Sequence, residues 1–262
     1  MHRTSRCLFL LATLALALTR TPRAHAQDAA KPNASQPVAR LSGTVIVTNK
    51  TPATATIVDV ASGRILATLP TGQGPHEIVI SRDGATAVIT DYGAQTGGST
   101  LTVIDVPGKR VARTISLGVY RRPHGILFMP GDSIVAVTSE TNKFLLMVRI
   151  ATGEIVKAIP TEQNGSHMVG VTRDGTRGWT GNIGSNSVSE LDLARGVSLR
   201  TIAVPAQPEA INVTREGHEV WVGSNAGRVA IIDVKGRKQV GELMAGDTPD
   251  GVAYTAKVFG LK

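Results

Sequence analysis

Aromatic side chains make up only 3% of this 262-residue sequence, and there is a single cysteine, Cys7. So few aromatics leave no stacking platform for single-stranded nucleic acid or sugars. Cys7 lies in a segment with the marks of a secretory signal: Arg3 and Arg6, the apolar run LFLLATLALAL over 8–18, and an A-x-A site at Ala24-His25-Ala26. The run is too short to span a bilayer, so no stable membrane anchor is expected. Cleavage after Ala26 predicts a periplasmic or secreted chain without cysteine. That excludes disulfides, thiolate zinc sites and covalent c-type haem. No lipoprotein cysteine stands at the cleavage point. Also missing are a G-x-S-x-G elbow, a phosphate-binding glycine loop and an H-E-x-x-H pair.

Charge is similarly uninformative. Removing the four arginines of the signal segment takes the formal value from +8 to +4, and no block of basic residues remains. Nucleic acid is therefore not indicated as a partner. Residues 27–41, QDAAKPNASQPVARL, read as a flexible leader. Residues 42–258 read as the folded domain, expected to be a monomer.

The sequence repeats. GPHEIVISRDGATAVIT (74–90) returns as RPHGILFMPGDSIVAVT (122–138), GSHMVGVTRDGTRGWTG (165–181), QPEAINVTREGHEVWVG (207–223) and, in part, TPDGVAYTA (248–256). The equivalent positions are His76, His124, His167, Glu209 and Asp250, spaced by 48, 43, 42 and 41 residues. A second series (IVDV, VIDV, MVRI, ELDL, IIDV) runs in step, 17 to 19 residues ahead of these positions. Each period holds four short β-rich runs divided by turn residues such as Asp83-Gly84. Four antiparallel strands every forty-odd residues predict the blades of a β-propeller; a right-handed β-solenoid fits the period less well. With strands lettered a to d from the centre outward, the a runs EIVIS, GILFM, MVGVT and AINVT are nearly continuously apolar, which predicts burial on both faces. GTVIVTN (43–49) then matches strand b, and DGVAYTA (250–256) is a spare strand a. Pairing them predicts five blades closed by the C-terminal strand a against the N-terminal strands b-c-d.

Ile46-Val47-Thr48-Asn49, Gly74-Pro75-His76 and Arg82-Asp83-Gly84 resemble the repeat signature of the YVTN, or YncE-like, β-propeller family, over about residues 42–256. The resemblance implies an exported propeller and fixes no chemistry. Members of that family are commonly seven-bladed, so five blades are a departure. More distantly the chain looks like the propellers of lactonases and of nitrous oxide reductase.

A residue at the start of strand a faces the mouth of the central channel. His76, His124, His167, Glu209 and Asp250 are thus candidate metal ligands, with zinc or copper as the cofactor such a set would take. Histidine after proline also belongs to the repeat pattern, so a purely structural role is the competing reading. The b–c connections open on the same face, and the longer one in the second blade is expected to overhang it. Arg121 and Arg122 lead into the mouth. Arg122, Asp91, Glu140 and Asn182 are candidates for holding a small ligand there, and Asn225 lies at the same level. Met168, Trp179 and Trp221 are expected in the core, and His218 on the opposite surface. Three functions follow: a non-catalytic propeller binding a partner or small ligand at the channel mouth, which the absence of catalytic motifs favours; a lactonase-like metal-dependent hydrolase; and a periplasmic copper-handling protein.

Overall fold

The computed structural model describes residues 41–257. The expected signal segment, nearly all of the leader and the domain's last expected residue, 258, lie outside the described residues.

Every regular element among the described residues is a β-strand, and the strands form five separate antiparallel sheets. Blade one holds β1 (Thr44–Asn49), β2 (Thr54–Asp59) and β3 (Ile65–Pro70). Blade two holds β4 (Pro75–Ile80), β5 (Thr86–Gly93), β6 (Gly97–Asp105) and β7 (Arg110–Ser116). Blade three is β8 (Pro123–Phe128), β9 (Ile134–Ser139), β10 (Phe144–Arg149) and β11 (Ile155–Pro160). Blade four is β12 (Ser166–Val171), β13 (Arg177–Asn182), β14 (Ser187–Asp192) and β15 (Val197–Ala203). Blade five is β16 (Pro208–Val213), β17 (Glu219–Ser224), β18 (Arg228–Asp233) and β19 (Lys238–Met244). Within each blade sequential strands are neighbours, and the first strands β4, β8, β12 and β16 stand next to one another. This is the β-propeller expected from the repeat, with about five blades.

Alternation along each strand sends side chains to opposite faces, and four apolar layers result. Ile46 and Ile57 of blade one meet Ala87, Ile89 and Ile104 of blade two. The opposite face of blade two, with Val88 and Val103, meets Ile126, Val137 and Leu146 of blade three. Met147 and Ile159 meet Leu191 and Leu193 of blade four. Trp179 and Val188 meet Val220 and Val222 of blade five, which puts Trp179 in the core as expected.

Two expectations need correcting. In blades two to four the most deeply buried strands are the second and third, not the first. β5, β9 and β13 are buried nearly throughout, whereas β4 is mostly half-buried with Ile80 exposed. A second or third strand has a hydrogen-bonded neighbour on each side, while a first strand has one edge along the channel. Residues 250–256 also form no strand, so blade one has three strands rather than four. That segment lies instead against blade five. The Tyr254 ring stacks on Trp221 with centroids 5.0 Å apart, and a Cβ placed on Gly223 would sit 3.8 Å from Val252 Cβ. Trp221 is therefore only partly buried, on the face of blade five opposite Trp179's layer.

Candidate functional site at the channel mouth

The five blade-start positions converge. His76, His124, His167, Glu209 and Asp250 line one cavity of about 550 Å³, together with Glu77, Met168 and the segment 250–252. Local backbone geometry brings them there. Two residues ahead of each stands a residue with left-handed φ: Gly74 (59°), Arg122 (52°), Gly165 (67°), Gln207 (51°) and Thr248 (44°). The turn swings the chain from the outer strand of one blade to the inner strand of the next. Thr248 shows that residues 248–250 repeat this turn although no strand follows. The repeated threonine of strand b then pins two of the histidines. Thr48 Oγ1 donates to the His76 carbonyl at 3.3 Å, and Thr138 Oγ1 to the His167 carbonyl at 2.5 Å.

The three imidazoles lie side by side, with their planes tilted by 48° between His76 and His124 and by 32° between His124 and His167. The His76 and His124 centroids are 4.2 Å apart, and those of His124 and His167 are 3.7 Å apart. His167 lies between two carboxylates: Nδ1 is 2.5 Å from Glu140 Oε1, and Nε2 is 3.0 Å from Glu209 Oε2. His76 Nδ1 is 3.3 Å from Glu77 Oε1. His124, in the middle, is only 4% exposed, and its Nδ1 has no hydrogen-bond partner among the described residues. Burial, then the neighbouring His167 and His76 and Lys50, push its pKa down to about 2, so His124 is a neutral imidazole with a lone pair to offer. Donor atoms of His76, Glu77 and His124 lie within 4.8 Å of one another, as do those of His124, Glu140 and His167.

A second ring surrounds the first. Its members occupy equivalent positions at the b–c connections of four blades: Lys50, Tyr92, Glu140 and Asn225. Tyr92 Oη donates to Glu140 Oε2 at 2.6 Å, and Asn225 Nδ2 donates to Glu209 Oε1 at 2.6 Å. A continuous polar chain thus runs Tyr92–Glu140–His167–Glu209–Asn225 across four blades. Burial, followed by the Glu140 carboxylate, raises the Tyr92 pKa and keeps its phenol protonated. Arg122 Cζ lies 4.8 Å from the Tyr92 ring centroid.

Of the small-ligand candidates, Arg122 and Glu140 therefore reach the mouth. Asp91 and Asn182 do not. Both side chains are buried within their own sheets, where Asp91 accepts from Thr100, Thr102 and Gly72, and Asn182 bonds Ser166, Ser187 and Ser189. Tyr92, the residue after Asp91, faces the mouth instead. Sequence reasoning missed Tyr92, Lys50 and Glu77. Aligning the strand-b ends on Glu140 and Asn225 identifies the first two. Met168 is a half-buried wall of the cavity, and His218 is exposed in the β16–β17 turn as expected. The long connection of blade two is an extension of the β5–β6 hairpin, whose carbonyls at Ala94 and Gln95 receive Arg122.

No family model matches the chain, and no curated protein matches it. Among solved structures it is similar to a functionally unknown protein from Desulfotomaculum acetoxidans, at 16% identity and a TM-score of 0.66 over 80% of this chain and 69% of that one. At that identity the likeness carries the fold alone.

Proposed function

We propose that the chain is an exported, YVTN-type β-propeller that binds a small ligand at its channel mouth without transforming it, and that this ligand is a transition-metal ion, zinc or copper. The observation that carries the reading is His124. A buried imidazole nitrogen without a partner costs free energy, and the ring of His124 belongs to two clusters, each adding a second imidazole and a carboxylate. Neutral nitrogens with carboxylate oxygens are the donors zinc and copper take. Glu140 on His167 Nδ1 is the kind of contact that orients a ligating histidine. Asp250 would complete the set from the fifth position. The signal-like segment 1–26 supports export, and the IVTN and GPH motifs support the family.

Thermal unfolding with and without metal tests this. A ligand held by the native state at one hundred times its Kd adds about 2.7 kcal/mol. Zinc or copper should raise the melting temperature of the wild type and leave His124→Ala unmoved. An equal response in both, or none in the wild type, assigns the histidines a structural role only. Lactone hydrolysis by the metal-loaded protein would replace the binding reading with the hydrolase one.

A further inference from the structure

Three cations stand at the mouth without a counter-ion. Lys50 follows β1, and Arg121 and Arg122 precede β8. Among the described residues no carboxylate comes within ion-pairing distance of any of them. The acids nearby are already engaged: Glu140 with Tyr92 and His167, Glu209 with His167 and Asn225. The arginines make only long contacts to neutral oxygens. Arg122 Nη2 reaches the carbonyls of Ala94 and Gln95 at 3.4 and 3.3 Å, and Arg121 Nη1 reaches the Gly97 carbonyl at 3.4 Å and the Ser99 hydroxyl at 3.5 Å.

Tyr92 holds the cations in place. Arg122 lies over its ring at 4.8 Å and Lys50 Nζ at 5.7 Å. The same ring contacts His76 and His124, at centroid distances of 5.3 and 5.5 Å. Its hydroxyl is fixed by Glu140. One aromatic ring thus has a guanidinium and an ammonium among its neighbours as well as the imidazole pair. The blade-three turn also places an arginine in a left-handed position that two other blades give to glycine, Gly74 and Gly165.

We propose that this rim is a subsite for a small oxyanion, a carboxylate or phosphate group, held by Arg122 and Lys50 beside Tyr92. Its place next to a bound metal rests on the function proposed above. The planar guanidinium matches two oxygens of such a group, and Lys50 adds a point charge. The His76–His124 pair contacts the same ring, so an anion seated there also neighbours the metal. The ligand class is therefore an anion able to coordinate a metal through an oxygen.

Calorimetric titration of the mature protein tests this with zinc alone, then with malonate and with methyl phosphate, on zinc-free and zinc-loaded samples. The variants are Arg122→Gly, which installs the residue native to two equivalent turns, and Lys50→Gln. We expect zinc affinity in both variants within about twofold of wild type and anion affinity lower by about tenfold or more. Preference for malonate or for methyl phosphate assigns the group. Zinc binding with anion affinity unchanged in the variants, or with no anion bound by the wild type, overturns the subsite and leaves the metal reading standing. Arg122-dependent anion binding without any zinc binding sustains the subsite and overturns the metal reading.

Discussion

At equivalent positions of strand b, blades one and four carry an asparagine, Asn49 and Asn182, and blade two an aspartate, Asp91. Asn49 donates to Thr54 and Thr56, and Asn182 to Ser187 and Ser189, while Asp91 accepts from Thr100 and Thr102. Burial lifts the Asp91 pKa from 3.8 to about 6 despite these hydrogen bonds. Between those values the folded chain holds more protons than the unfolded one. The aspartate's contribution to stability is thus full below pH 4 and is lost as pH rises through 6. Asp91→Asn should remove this slope and stabilise the protein at neutral pH by roughly 1–3 kcal/mol. Denaturant melts of both proteins at pH 4, 5, 6 and 7 check it; parallel curves would show that Asp91 does not titrate there. Thr138 gives a second prediction. It is fully buried and bonded to the His167 carbonyl. Thr138→Val should cost on the order of 1 kcal/mol, lowering the melting temperature by a few degrees. The same residues mark what the sequence left hidden. A strand's period of two puts neighbouring side chains on opposite faces, so placing the mouth one residue early selects Asp91 in place of Tyr92. The histidines were legible because one motif recurs around them, with a proline ahead of His76 and His124 and a serine ahead of His167; Tyr92 stands outside any motif.

Among the elements, β1 is the exception. Its register with β2 aligns Thr44 with Asp59, as β5 with β6 aligns Thr86 with Asp105. Val45 and Val47 thus correspond to Ala87 and Ile89, which are fully buried, yet they are 46% and 45% exposed. β1 is an edge strand, and long apolar edges invite pairing. The residues that would cover it are near their place: Thr248 repeats the blade-start turn, and Asp250 lines the mouth. The β4–β5 register, Ile78 opposite Ile89 and Ile80 opposite Ala87, transfers to Val252 opposite Val47 and Tyr254 opposite Val45. Among the described residues no strand pairs with this edge, and 250–256 lie against blade five instead. The β1 amides that face away from β2 should therefore exchange without protection, and deleting residues 250–262 should leave their exchange unchanged. Protection in the full chain that is lost on deletion would show that the ladder forms. Strand positions were readable because four short runs recur between turn signals. The conformation of 250–256 was not, because Tyr254 has two apolar surfaces to choose between, Trp221 on blade five and the edge of β1.

At the scale of the molecule, the repeat decides both fold and site. One period places an ionisable side chain at the start of every blade, and five blades turn toward one axis. Neither a single blade nor the sum of its contacts would gather three imidazoles and three carboxylates around one cavity. The number of blades and the identity of the ring followed from counting. The close approach of the imidazoles and the isolation of His124 Nδ1 did not, because they depend on how tightly the blades curve. The central claim is that this ring holds a metal. It is tested most directly by measuring, with plasma mass spectrometry, the metal bound to untagged mature protein after equilibration with zinc or copper and removal of excess. The account predicts about one ion per chain in the wild type and none when His76, His124 and His167 are all alanine. A metal-free wild type, or equal metal in wild type and triple variant, would contradict it.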